Sequence, residues 1–175
     1  MQHNKMSAEE IRNRIILYKK NWRNIKTTNC YAYALGLDVP EKKICNYAYQ
    51  PGVMSNHNIP FMAKDLVPYD TFIDSVNSDL DYLGIEVKEI NPNQTIESYE
   101  WKIALFVPLD ILNHPYMIDD FHFIKQYPDG IWYHKYGYQG NITNNDDQNN
   151  IIINPKLCVL DDLVYDKTLC LKLKR

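Results

Sequence analysis

Three residues of this chain have the side chains and spacing for nucleophilic chemistry: Cys30, His122 and His134. A thiol becomes a nucleophile when a base takes its proton. The base works best when a third polar group holds its ring in one orientation. Cys30 can supply the first role, His122 the second and His134 the third, with Asp119, Asp120 and Asn144 competing for the third. Each has an ordinary explanation when taken singly, as a cysteine filling space or a histidine satisfied within a strand. Their combination points to thiol catalysis.

The element that must position the thiol is Asn29-Cys30-Tyr31-Ala32-Tyr33-Ala34-Leu35-Gly36. Thr27, Thr28 and Asn29 are residue types whose side-chain oxygens cap helix N-termini, and Gly36 is a suitable stop. The positive end of a helix dipole at Cys30 favours thiolate over thiol. The main-chain N–H of Cys30 is one candidate oxyanion donor, with Asn24 and Tyr31 as candidates for a second.

The histidines fall on two β-type segments, Phe121 to Gln126 and Ile131 to Tyr136, around the turn signal Tyr127-Pro128-Asp129-Gly130. His122 shares a strand face with Ile124 and Gln126. On the partner, Trp132, His134 and Tyr136 share one face. Simple pairing sets 123 opposite 134 or 122 opposite 135. One residue of slip, from a bulge or a turn variant, then brings the two rings together.

The remaining composition narrows the chemistry. The chain has 175 residues, 45% hydrophobic and 23% charged, enough for one domain with a core of its own. A net charge of −3 argues against nucleic acid as a partner. Cys30, Cys45, Cys158 and Cys170 form no C-x-x-C pair and no metal-ligand spacing with a histidine, so no metal or other cofactor is expected. A disulfide stays open but is not required. The first residues hold no apolar h-region, and no stretch is long enough to span a membrane. The expectation is a cytoplasmic monomer, or a protein exported without a Sec signal. The 14 tyrosines suit a polar cleft or equally an ordinary core and rim.

Elsewhere the patterning is mixed. Ser7 and Glu10 make a capping box before Ile11, Ile15 and Ile16, which predicts a helix from 7 to about 20. Residues 38–60 are irregular. Phe72, Ile73, Val76, Leu80 and Leu83 predict a helix over 70–83 closed by Gly84. Ile85 to Ile90 alternates as a half-buried strand, and Ile103 to Val107 reads as a strand buried on both faces. Ile151 to Ile153 and Leu169 to Leu173 are two further expected strands. Helices first and an antiparallel meander after them give an α+β fold.

In this combination the chain resembles the papain-like, circularly permuted cysteine peptidases and amidases of the NlpC type and their relatives, the CHAP amidases. Asn29-Cys30-Tyr31-Ala32-Tyr33-Ala34, Asp120-Phe121-His122-Phe123-Ile124 and Trp132-Tyr133-His134-Lys135 carry that resemblance. Thr143-Asn144-Asn145-Asp146 joins them in a likeness to a less studied set of bacterial and phage proteins. The likeness implies a single papain-like domain over 1–175, with N-terminal helices packed on a C-terminal antiparallel sheet. His122 lies 92 residues after Cys30, so residues 38–100 are expected to be an insertion shaping the cleft.

The implied activity is cleavage of an amide or peptide bond through a Cys30-His122-His134 site. The substrate would be a peptide or protein amide, with a peptidoglycan stem peptide as one candidate, although the family's Asp-Cys-Ser-Gly helix start is absent. Deamidation or acyl transfer on a protein side chain uses the same pair of groups. A papain-like binding module without turnover is the alternative from another class.

Overall fold

A computed structural model describes residues 6–18, 28–38, 50–57, 66–112, 117–137 and 140–175. In chain order the elements are α1 (Ala8–Arg12), α2 (Cys30–Leu35), β1 (Val67–Pro68), α3 (Tyr69–Tyr82), β2 (Ile85–Ile90) and β3 (Glu100–Pro108). They continue with β4 (Met117–Ile118), β5 (His122–Gln126), β6 (Trp132–Lys135), β7 (Ile142–Thr143) and β8 (Leu163–Leu173). Six strands form one sheet in the order β2-β8-β3-β5-β6-β7, and β1 pairs with β4 apart from it. Every pairing is antiparallel. The chain is α+β, as its patterning indicates. No described helix is long and apolar enough to cross a membrane.

The sheet has two apolar faces because β3, buried along its whole length, is apolar on both sides. Trp101, Ile103, Leu105 and Val107 join the main core with α2, α3, Phe121 and Phe123. Ala104 and Phe106 face a second cluster with Ile124, Trp132, Ile152 and Leu160. β8 is longer than Leu169 to Leu173 and lies between β2 and β3.

Two expectations need correction. The capping box of Ser7 and Glu10 is present, but α1 ends at Arg12. Ile15 instead bridges Leu37, and the N–H of Ile16 donates to the carbonyl of Gly36, so the chain there serves as a partner for the end of α2. Ile151 to Ile153 form no named strand. Ile152 alone is buried, exchanging main-chain bonds with Asn144 and Trp132, while Ile153 is 70% exposed. Apart from these, α3 supplies Phe72, Val76 and Leu80 to the main core, and β2 extends the sheet beyond β8. The described part of 38–100 therefore contributes to the same core as α2.

α2 is fixed at both ends. Asn29 Oδ1 accepts from the N–H of Ala32 at 2.9 Å. Gly36 adopts φ 77°, and the N–H groups of Gly36 and Leu37 return to the carbonyls of Tyr33 and Ala32, a Schellman closure. The Trp101 indole donates to the carbonyl of Ala34 at 3.3 Å, and the Tyr33 and Tyr127 hydroxyls meet at 2.8 Å. The helix that carries Cys30 is thereby tied to β3 and to the β5–β6 turn.

Lys125 lies beneath this helix end, fully buried. Its ammonium donates to the carbonyl of Ile16 at 3.3 Å and sits about 6 Å from the rings of Trp101 and Tyr127. Burial pushes it down to about 7. The folded state thus resists taking up a proton that the unfolded chain binds already below about pH 10. The stability tied to Lys125 is present at high pH and is lost as pH falls toward 7. Lys125→Met should therefore be more stable than wild type at pH 7, by on the order of a few kcal/mol. Urea unfolding should show that gap closing as pH is raised toward 10.

Candidate active site

The turn between β5 and β6 sets the geometry of the histidines. The N–H of Tyr127 donates to the carbonyl of Ile131 at 3.0 Å and that of Gly130 to the carbonyl of Tyr127 at 2.9 Å. Gly130 takes φ 82°, the left-handed residue that a three-residue hairpin loop requires. The result is a register with Ile124 opposite His134. This supplies the one-residue slip, and His122 and His134 become diagonal neighbours on the same face.

Their rings are joined directly. His122 Nε2 and His134 Nδ1 are 2.9 Å apart, and His134 Nε2 lies 2.9 Å from the main-chain oxygen of Asn145. A carbonyl oxygen only accepts, so His134 Nε2 carries a proton and donates. His134 Nδ1 is then the acceptor for a neutral ring, and His122 Nε2 must be the donor. His122 Nδ1 remains unprotonated, with no hydrogen-bond partner among the described residues. One carbonyl therefore fixes both tautomers in sequence and leaves a free base at the end.

The loop that supplies this carbonyl is organised around Asp146. Its carboxylate accepts from the N–H groups of Gln148, Asn150 and Val159, and the N–H of Asn145 donates to Thr143 Oγ1. Tyr136 closes the other side. Its ring stacks on His122 at 5.4 Å and 24°, lies edge-on to His134 at 4.6 Å, and its hydroxyl donates to Asp147.

Cys30 and His122 line one cavity of about 540 Å³, together with Asn29, Gln50, Tyr136 and a set of aspartates. Cys30 is 6% exposed. Burial pushes its thiol up to about 12, against the opposing pull of the nearby N–H groups of Phe123 and Tyr31. Desolvation thus outweighs the pull toward thiolate that the helix start exerts. Burial likewise pushes His122 down to about 3, with His134 adding to the shift, and lowers His134. The resting pair is a neutral thiol and a neutral imidazole. No hydrogen bond joins Cys30 to His122 in this state.

The other expected site residues fall differently. Tyr31 is fully buried, and its hydroxyl donates to Asp79 at 3.2 Å, so its side chain offers no oxyanion donor. The orienting contact comes from the carbonyl of Asn145, one residue beyond Asn144, whose own carbonyl is taken by Ile152. Asp119 and Asp120 line the cavity but do not bond either ring. Asn24 and Cys45 lie outside the described residues. Cys158 and Cys170 are free thiols that do not line the cavity. No group of histidine, cysteine and acidic side chains among the described residues is placed to hold a metal ion.

Sequence reasoning missed Gln50, Asn145, Asp161 and Asp162. Gln50 is brought in by a hub that no motif announces. Asp79, fully buried on α3, accepts from the N–H groups of Gly52 and Ser55, from Ser55 Oγ and from the Tyr31 hydroxyl. It fastens the 50–57 segment to the residue next to the thiol.

The chain matches no protein-family model, and neither a curated protein nor a solved structure is significantly similar to it.

Both histidines are held neutral by folding, so the stability tied to them is present above the ordinary imidazole value near 6.5 and is lost as pH falls toward 3. His134→Phe should cost about 1–3 kcal/mol at neutral pH, the price of an unsatisfied His122 Nε2–H. Equilibrium unfolding of the two proteins should also converge as the pH is lowered from about 6.5.

Proposed function

We propose that the protein is a thiol hydrolase, a cysteine peptidase or amidase of papain-like type, with Cys30 as nucleophile, His122 as base and His134 as the residue that orients the base. The observation that carries this reading is the hydrogen-bonded series from the Asn145 carbonyl through His134 to His122, a residue that lines the same cavity as Cys30. A chain of this kind has little structural purpose on a face already filled by Ile124 and Trp132, and two buried imidazoles cost more than apolar side chains of the same size.

The chemistry follows from the neutral resting pair. As Sγ of Cys30 attacks the amide carbonyl carbon, its proton passes to Nδ1 of His122. The carbonyl π electrons move to oxygen, and the main-chain N–H of Cys30 donates to the resulting oxyanion. His122 is then an imidazolium whose Nε2–H stays on His134 Nδ1. It returns the Nδ1 proton to the departing amine, and the C–N bond breaks to leave a thioester on Cys30. Water, deprotonated by His122, then releases the acid and restores the thiol. Substrate binding supplies the step that burial withholds at rest: it brings thiol and imidazole together where charge separation is stabilised by the reacting carbonyl. Transfer to an amine would differ only in the nucleophile of the second step, and deamidation only in the side-chain amide attacked in the first, with ammonia as the leaving group.

A specific observation favours a second reading. Cys30 is buried, pushed toward the neutral thiol and not hydrogen-bonded to His122, which suits a binding module that keeps the scaffold without turnover.

Alkylation separates the two. Iodoacetamide at neutral pH, read by peptide mass spectrometry, should label Cys30 ahead of Cys45, Cys158 and Cys170, and His122→Ala should slow that labelling by about 10²-fold or more. A Cys30 that stays unmodified, or that reacts equally fast without His122, contradicts the hydrolase.

A further inference from the structure

β6 carries a buried charge that has no part in the proton series of His122 and His134. Lys135 follows His134 directly and is fully buried. Strand alternation sends its side chain to the face opposite His134 and Trp132. That is the face α2 covers, because Tyr133, on the same side as Lys135, packs with Tyr33 of α2. The register places it more closely. Ile124 lies opposite His134, so one further step along the antiparallel ladder sets Phe123 opposite Lys135. Side chains so paired start about 4.5–5.5 Å apart on one face. Phe123 points at α2, its ring 5.2 Å from that of Tyr31. The N–H of Phe123 is also one of the groups that favour the negative form of the Cys30 sulfur. Lys135 and Cys30 thus approach the same strand position, one from β6 and the other from α2.

The ammonium is anchored as well. Lys135 Nζ donates to the carbonyl of Gly137, and Gly137 lines the cavity together with Cys30 and His122. Burial pushes Lys135 down to about 8, and the Cys30 sulfur acts against that shift. At neutral pH the side chain therefore keeps most of its charge. Lys125, the other buried lysine of the hairpin, sits near Gly36, at the end of α2 where the helix dipole welcomes a cation. Lys135 lies toward the opposite end, where the dipole gives a cation nothing. Of the charged groups that act on the thiol, Asp120 opposes the thiolate and Lys135 favours it.

We propose that Lys135 is a positioning residue for the nucleophile, its ammonium stabilising the negative charge that develops on Cys30 Sγ as the thiol proton leaves for His122. The inference rests on the reading of Cys30 as the nucleophile. Lys135 exchanges no atom in the step: Nζ keeps its three protons and its bond to Gly137 throughout. An opposite charge at close range favours ionisation of a thiol by about ten- to a thousandfold. A buried pair of this kind is screened little by salt.

The test reads the thiolate at Cys30 with iodoacetamide, an uncharged reagent, followed by peptide mass spectrometry of the full-length protein. Lys135→Gln removes the charge and keeps an N–H for the Gly137 carbonyl. Lys135→Met removes both, and Lys135→Arg keeps the charge. At pH 7 the Gln and Met variants should label Cys30 about tenfold or more slowly than wild type, with the Arg variant between them. The deficit should shrink as the pH is raised to about 10, where Lys135 of the wild type is itself neutral. The comparison is read from whichever neutral variant keeps the wild-type circular dichroism spectrum. Equal rates at pH 7, or a deficit that does not change with pH, overturn the role of Lys135. In that case slower labelling in His122→Ala leaves the hydrolase standing. A Cys30 inert in the wild type overturns both.

Discussion

The site depends on one main-chain oxygen. The carbonyl of Asn145 can only accept, so it obliges His134 to present Nε2–H, which makes His134 Nδ1 an acceptor and turns the Nε2–H of His122 toward it. A side-chain amide or hydroxyl in that place could rotate or flip, and the tautomers would be free to exchange. A backbone carbonyl held by a loop wound around Asp146 cannot. The cost is two imidazoles buried as neutral rings, which the sheet accommodates because their polar atoms are bonded to each other and to the backbone.

The thiol is positioned by a separate set of contacts. α2 is six residues long and would not hold together alone. It stands because Asn29 and Gly36 close its ends, Trp101 and Tyr127 grip its length, and Asp79 holds Tyr31. The same Asp79 places the segment that brings Gln50 to the cavity. α2 packs against both strands of the hairpin, and Cys30 and His122 line one cavity. Burial favours the neutral form of both thiol and imidazole.

Local chemistry in the sequence announced much of this. Asn29 and Gly36 bracket a helix by capping rules that need no tertiary context, and Tyr127-Pro128-Asp129-Gly130 announces a hairpin as clearly. The pairing of His122 with His134 was legible to within one residue of register, and the αL residue Gly130 decides that last step. What stayed hidden is what depends on distant packing. α1 stops early because Gly36 and Leu37 claim the backbone of Ile15 and Ile16. Ile151 to Ile153 look like a strand, but neighbours already engage Ile152. A carbonyl has no side-chain signature, so Asn145 could not be told from Asn144. The thiol's burial also reverses the charge state that its helix position suggests.

The proton arrangement is the most direct point of attack on this account. Long-range nitrogen–proton NMR correlations of the two imidazoles, taken at about pH 6 where an unperturbed histidine is half charged or more, distinguish the three forms of each ring. Both His122 and His134 should be neutral and protonated on Nε2, with Nδ1 of His122 bare. An imidazolium at that pH, or His122 protonated on Nδ1 instead, would leave Cys30 without a base and contradict the account.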